Sequence, residues 1–257
     1  MKFKLLAAAL ISASLAAPLV HAQTDPSATA KPAENAVDPA SIQALKDMGT
    51  HLQTLRRFHV STGLTGEVVL ADGQKLQHTA TADLDVLRPN KLRARMFSTR
   101  SERVVFFNGE KATIFLPAQK YYSTVDFSGT VDALVGKLEE RYGIEIPLSD
   151  LFLWGTPAAP LDKIDSAMNA GQDFIGKDLC NHFAFRQGNF DWQIWITTGS
   201  KPLPRKLVIT NRADEARPQS VSLIDWNLNP GFKDDVFTFV PPKGTRAVEL
   251  RALEAKK

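Results

Sequence analysis

Phe58-His59-Val60-Ser61-Thr62-Gly63-Leu64-Thr65-Gly66-Glu67-Val68-Val69-Leu70-Ala71-Asp72-Gly73-Gln74-Lys75-Leu76-Gln77-His78-Thr79-Ala80-Thr81-Ala82-Asp83-Leu84-Asp85-Val86 is the stretch on which the reading of the fold turns. Phe58, Val60, Leu64, Val68 and Leu70 alternate with polar or small neighbours, and Leu76, His78, Ala80, Ala82, Leu84 and Val86 do the same beyond Asp72-Gly73. Alternation on both sides of an Asp-Gly pair predicts two long antiparallel strands joined by a tight turn. Before Phe58 the period is different. Ile42, Leu45, Met48, Leu52 and Leu55 recur every three or four residues, which predicts a helix with one apolar face. Asp38 suits its N-cap and Pro39 its first turn, while Gly49 weakens it by about 1 kcal/mol relative to Ala.

Beyond the hairpin the alternation continues. Leu92, Ala94 and Met96 share a face; Asn108-Gly109 joins Val104–Phe107 to Ala112–Leu116; Tyr121–Phe127 forms a further strand. A mid-chain helix follows, with Val131, Leu134, Val135, Leu138 and Tyr142 on one face, Ser128 or Thr130 as cap and Gly143 as stop. A second, short helix is predicted from Pro147 to Trp154, ended by Gly155. Strands then return over 164–175, 179–187, 190–198, 203–211 and 219–228, with a short last one at Val236–Val240 closed by Pro241-Pro242. There is no βαβ alternation to suggest a parallel sheet. The expected fold is mainly β (α+β): a large curled antiparallel sheet, or incomplete barrel, of about 11–12 strands covered by about three helices.

The ends read differently. Met1-Lys2-Phe3-Lys4 is a positive start, Leu5–Val20 is apolar or small, and Val20-His21-Ala22 places small residues at the −3 and −1 positions of a signal-peptidase site. Residues 1–22 are therefore expected to be a signal peptide cleaved after Ala22, delivering the protein to the periplasm. No Cys follows to accept a lipid anchor, and no later stretch is long and apolar enough to span a bilayer. Residues 23–40 read as a flexible leader, 41–250 as a single domain and 251–257 as a C-terminal tail.

Of the 31 Lys and Arg, Lys2 and Lys4 belong to the signal segment, so the rest nearly balance 28 Asp and Glu. That balance gives no clustered basic surface and argues against a nucleic-acid partner. A single cysteine excludes an internal disulfide and a Cys-rich zinc site. No nucleophile elbow, phosphate loop or His-Glu-x-x-His occurs, and the scattered His51, His59, His78 and His182 give no metal spacing. Neither metal nor cofactor is expected. Cys180 and His182, two apart on one strand, share a side and are the one foothold for a nucleophilic hydrolase. A lone Cys among Leu179 and Phe183–Phe185 also reads as a small buried apolar residue. Asp191, Asp225, Asp234 and Asp235 lie beside turns or strand ends, where acids are ordinary.

The aromatic load, 15 Phe and 4 Trp, admits two readings. A big sheet needs big core residues, or a curled sheet under apolar helices encloses a cavity. In the second reading strand parity predicts a lining of Leu64, Val68, Leu76, Leu84, Leu92 and Met96 from the sheet, with Leu134, Leu138 and Phe152 from the helices.

Several runs resemble a known family: Asn181-His182-Phe183-Ala184-Phe185-Arg186-Gln187, Asp191-Trp192-Gln193-Ile194-Trp195-Ile196, Pro202–Thr210, Asp225-Trp226-Asn227 and Phe237–Gly244, together with Tyr142–Leu151. The chain after residue 40 resembles domain-of-unknown-function family 2092, a set of predicted periplasmic proteins, with Asn181 where an Asp is expected. That family is similar, more distantly, to the periplasmic lipoprotein-carrier fold of outer-membrane lipoprotein localisation. The resemblance implies an incomplete barrel with an apolar cavity under helices, and no catalytic residues. The expected function is a non-catalytic periplasmic protein that carries or senses a lipid, acylated protein or other hydrophobic ligand, taken as a monomer. The alternative is an envelope protein–protein interaction module with a solid core, and behind it a hydrolase using Cys180 and His182.

Overall fold

The computed structural model describes residues 36–253; the expected signal peptide and most of the leader lie outside the described residues. Helix α1 (Pro39–Thr54) begins where the Asp38 carboxylate accepts from the Ala40 and Ser41 amides at 3.1 Å each, with Pro39 in its first turn. Its buried face is Ser41, Leu45, Met48, Gly49 and Leu52. Gly49 has a packing reason that local propensity does not reveal. A Cβ built there would collide with the main chain of Gly155, so the helix and the 154–155 turn touch backbone to backbone. Gln53 Nε2 donates to the Trp154 carbonyl across the same contact at 2.8 Å.

Strands β1 (Arg57–Val69) and β2 (Lys75–Leu87) form the expected hairpin, in unbroken register from Arg57↔Leu87 to Val69↔Lys75. A meander continues through β3 (Lys91–Phe97), β4 (Glu102–Phe107), β5 (Lys111–Leu116) and β6 (Tyr121–Asp126). Helix α2 (Val131–Tyr142) is capped by Thr130 and stopped by Gly143, whose φ of 63° admits the left-handed turn. The short α3 (Asp150–Leu153) follows; Pro147–Ser149, expected to belong to it, precede it as a turn.

A second meander then runs through β7 (Ser166–Ile175), β8 (Asp178–Gln187), β9 (Phe190–Thr197), β10 (Pro204–Asn211) and β11 (Gln219–Asn227). The two meanders join where β11 pairs antiparallel with β1. The result is one twelve-stranded sheet, ordered β12-β6-β5-β4-β3-β2-β1-β11-β10-β9-β8-β7, and it is not closed into a barrel. Its far edge is β12 (Arg246–Ala247), which lies parallel to β6 and makes the sheet mixed.

The strand expected at Val236–Val240 is not there. Asp234–Phe237 form a turn of 3-10 helix instead. Asp234 is tied to Lys91 at 2.7 Å and to Arg57 at 3.7 Å, so side-chain anchoring replaces a ladder. Phe237 is buried, and Phe239 packs on Phe106, Phe115 and Tyr122 at ring separations of 5.1–5.3 Å. These two aromatics produce the apparent alternation while serving separate contacts.

All three helices bury their apolar sides against one face of the sheet. Leu45, Met48 and Leu52 of α1, Val131, Leu134, Val135 and Leu138 of α2, and Leu151 and Phe152 of α3 join one cluster with Phe58, Val60, Leu84, Val86, Leu92 and Phe107. Among the described residues no helix is long and apolar enough to cross a membrane.

Candidate functional site

The helix-bearing face of the sheet is not uniformly filled. Along β1 its positions read Phe58, Val60, Thr62, Leu64 and Gly66. On β11 Val60 faces Trp226, Thr62 faces Ile224, Leu64 faces Ser222 and Gly66 faces Ser220. Leu207 and Ile209 of β10 lie beside Ser222 and Ser220 in turn. Large side chains at one end thus give way to glycine and serine at the other. Above the small end runs the segment between α2 and α3. Buried Ile144 and Ile146 hold it down, and Arg103 Nη2 donates to the Glu145 carbonyl.

Because Gly66, Ser220 and Ser222 cannot reach that segment, space remains. One lobe, about 380 Å³, lies between β1, β3, β10, β11 and residues 145–150, with Leu64, Met96, Ile146 and Leu148 on its walls. A second, about 470 Å³, is walled by Trp154, Pro160, Leu161, Phe190 and Trp192. Both lobes share Leu207 and Ile209 as floor and Glu139, Glu145 and Asp150 at the rim, so they meet. Each is within the range of small-molecule sites, with mainly apolar walls and a few polar groups.

The rim is acidic. Glu139 and Glu145 are exposed, whereas Asp150 is recessed; burial, and then the charge of Glu139, push its carboxyl above the usual carboxylate range. Trp192 stacks on Phe185 at 4.2 Å, and its buried indole Nε1 has no hydrogen-bond partner among the described residues.

The residues expected to line a cavity separate into three groups. Leu64 and Met96 reach the first lobe. Leu84, Leu92, Leu134, Leu138 and Phe152 are completely buried in the core, because three helices press on that part of the face. Val68 and Leu76 face each other near the hairpin tip and are 47% and 38% exposed, since β1 and β2 outrun β3 there. Parity alone missed Leu207, Ile209, Ser220 and Ser222, and the three acids. Small polar residues at inward positions of β11 were the available signal.

Cys180 and His182 share the other face. The buried Cys180 thiol packs with Trp195 and Val208, contacts the Asp178 carbonyl at 3.6 Å, and is pushed up in pKa by burial and by Asp178. His182 stacks on Trp195 at 4.0 Å and shares a 3.0 Å hydrogen bond with Gln193, so its ring is not directed to the thiol as a base. Asp191 pairs with Arg186, Asp225 with Arg205 and Asp234 with Lys91, leaving these carboxylates as ion-pair members. Among the described residues no cluster of His, Cys, Asp and Glu has metal-binding geometry. A further hollow of about 490 Å³ lies between the polar side of α1, at Asp47, Thr50 and His51, and the turn after β9. Burial and then Lys201 depress the His51 pKa.

The fold is therefore an open, mainly antiparallel sheet with helices on one face and a two-lobed, mainly apolar cleft beside them. The family model described as predicted periplasmic protein, domain of unknown function 2092, matches residues 41–251, and the chain belongs to that family. The family description agrees with a periplasmic location. Comparison with curated proteins gives no match. Among solved structures the chain is similar to an uncharacterized conserved protein from Thermus thermophilus, at 10% identity and a TM-score of 0.49, covering 82% of this chain and 99% of that one. It is also similar to lipoprotein LppX of Mycobacterium tuberculosis, at 12% identity and TM-score 0.46, covering 75% and 97%. A LolA superfamily protein from Nitrosomonas europaea gives 10% identity and TM-score 0.38, covering 77% and 97%.

Proposed function

We propose that this protein is a non-catalytic periplasmic binding protein that carries or senses a hydrophobic ligand, such as a lipid or acylated protein, in the cleft. The observation that carries this reading is the unfilled end of the helix-bearing face, where two lobes of about 380 and 470 Å³ meet over Leu207 and Ile209. Both lobes open to solvent, and their mainly apolar walls and size are those of a small-molecule cleft, which supports an apolar occupant. Burying an acyl chain contributes about 0.8 kcal/mol per CH₂, so about eight methylenes supply about 6 kcal/mol before ordering costs. Leu64 and Met96 are the parts of the expected lining that would touch it, and exposed Val68 and Leu76 extend the same face beyond them.

Native mass spectrometry with lipid extraction, on protein purified from the periplasm, tests the proposal. A co-purifying lipid or acyl peptide supports it; a ligand-free protein that also fails to take up a fluorescent fatty-acid probe refutes it. The docking-module reading draws on a different observation. β7 is an edge of the sheet, where a partner strand could add, and it exposes two separate apolar side chains, Phe174 at 71% and Met168 at 51%.

A further inference from the structure

We propose that the ligand of the cleft is an amphiphile with two hydrophobic arms, one for each lobe, joined at a polar centre over Leu207 and Ile209 where the lobes meet. This rests on the carrier reading and specifies the architecture of its ligand. The lobes lie side by side across the strands. Gly66 of β1 faces Ser220 of β11, Ser220 faces Ile209 of β10, and Ile209 faces Trp192 of β9. One row of the sheet therefore runs from the first lobe to the second, with Ile209 common to both. At the usual spacing between strands that row is about 14 Å long.

The placing of polar groups along this row carries the proposal. Glu139, Glu145 and Asp150 line both lobes and so stand at their junction. Arg103 lines the first lobe with them and donates to the Glu145 carbonyl, so the junction holds both signs of charge and suits a polar group without fixing its charge. Away from the junction the walls turn apolar on both sides. Trp154, Leu161 and Phe190 belong to the second lobe alone, and Leu64, Met96 and Leu148 to the first alone. Exposed Val68, which follows Gly66 on β1, and exposed Phe190 continue the apolar surface outward on the two flanks. The order across the cleft is apolar, polar, apolar. A single-chain amphiphile carries its polar group at one end; with that group at the junction it fills one lobe and leaves the walls of the other in water. A ligand branched at its polar centre covers both.

The test compares two lipids with the same phosphocholine head and the same number of acyl carbons, diheptanoylphosphatidylcholine and the single-chain myristoyl-lysophosphatidylcholine. Each is titrated into the mature protein by calorimetry below its micellar concentration. Because the second arm binds intramolecularly once the first is seated, the two-arm lipid is expected to bind about tenfold more tightly. Two variants close one lobe each, Ser222→Phe the first and Leu161→Trp the second. Each is expected to lose the two-arm preference while binding the lysolipid within about twofold of the wild type, through the lobe left open. Equal or tighter binding of the lysolipid by the wild type, or a two-arm preference that survives in either variant, overturns the two-arm assignment and leaves the carrier reading standing. The wild-type comparison decides alone if a variant does not fold. If neither lipid nor a fluorescent fatty-acid probe binds, the carrier reading falls and this inference with it.

Discussion

At the end of the sheet face around Phe58, Val60, Leu84, Val86, Leu92 and Phe107, every inward position is a large or closely fitted apolar side chain and three helices press down on it. A few residues further along the same strands, at Gly66, Ser220 and Ser222, the backbone continues in the same ladders and the side chains shrink. The backbone register is common to both ends. The difference between core and cleft therefore lies in side-chain volume: the packed end holds the fold, and the hollow end leaves the space that the proposed ligand would fill. Stability and binding should respond to different substitutions.

The packed end is tested most severely at Phe107, which is fully buried and lies 5.6 Å from the Phe127 ring. Phe107→Ala should cost about 3–5 kcal/mol, from lost transfer energy plus the cavity left behind. Urea denaturation measures this as a lower midpoint with an unchanged slope. A cost under about 1 kcal/mol would mean that this end is not packed to native density.

Gly49→Ala probes the same end through the backbone. Helix propensity alone predicts a gain of about 1 kcal/mol. The contact between Gly49 and Gly155 forbids a Cβ unless main chain moves, and overpacking of this kind costs about 1–3 kcal/mol. The expected outcome is a net loss by thermal unfolding, and a rise in Tm would show that α1 rides free of the 154–155 turn.

This glycine also marks where sequence reading stops. Its penalty within the helix was legible, because propensity is local; its reason is a partner far along the chain. The hairpin of β1 and β2, both long helices and the order of strands were legible for the same local cause, since alternation and capping are written within a dozen residues. The cleft was not. It depends on Leu64 facing Ser222 and Gly66 facing Ser220, a register between the first strand and the eleventh that no short-range pattern states. Leu84 and Leu92 have the same parity as Leu64 and Met96, and parity cannot say which of them a helix will cover. At Val236–Val240 two aromatics two residues apart mimicked a strand while making unrelated contacts.

A smaller effect is expected on the face away from the helices. His59 Nδ1 lies 2.8 Å from Asp85, and Arg93 is 3.2 Å from the other carboxylate oxygen. The Asp85 hydrogen bond outweighs burial and raises the His59 pKa; burial pushes Asp85 up, but His59 and Arg93 together hold it below its usual range. A raised histidine pKa stabilises the fold fully below its unfolded value, near 6.5, and that contribution disappears as pH rises through the folded value. The lowered Asp85 pKa contributes above its unfolded value, near 3.8, and its share is lost as pH falls through the folded value. The pair should therefore help most between these limits. His59→Gln should cost about 1 kcal/mol or less near pH 5.5 and approach zero at alkaline pH, as read from Tm across a pH series. A constant cost at every pH would remove the ionic contribution.

The smallest effect on stability is expected from the largest addition of volume, Ser222→Phe, and this outcome decides whether the hollow end is a cleft. Ser222 lies opposite Leu64 and beside Leu207, on the wall of the first lobe. Val68→Phe cannot serve, because Val68 is 47% exposed and accepts a ring in solvent whatever the interior holds. A phenyl ring at Ser222 enters a space of about 380 Å³, so it needs no rearrangement of Leu64, Met96 or the 145–150 segment. Stability should stay within about 0.5 kcal/mol of the wild type, with new apolar contacts offsetting the loss of a solvated hydroxyl. Uptake of a fluorescent fatty-acid probe should fall in the same protein, since the ring occupies the volume a chain would use. If Ser222→Phe instead destabilises by about 1–3 kcal/mol, the space is closed in solution and both ends of the face are core.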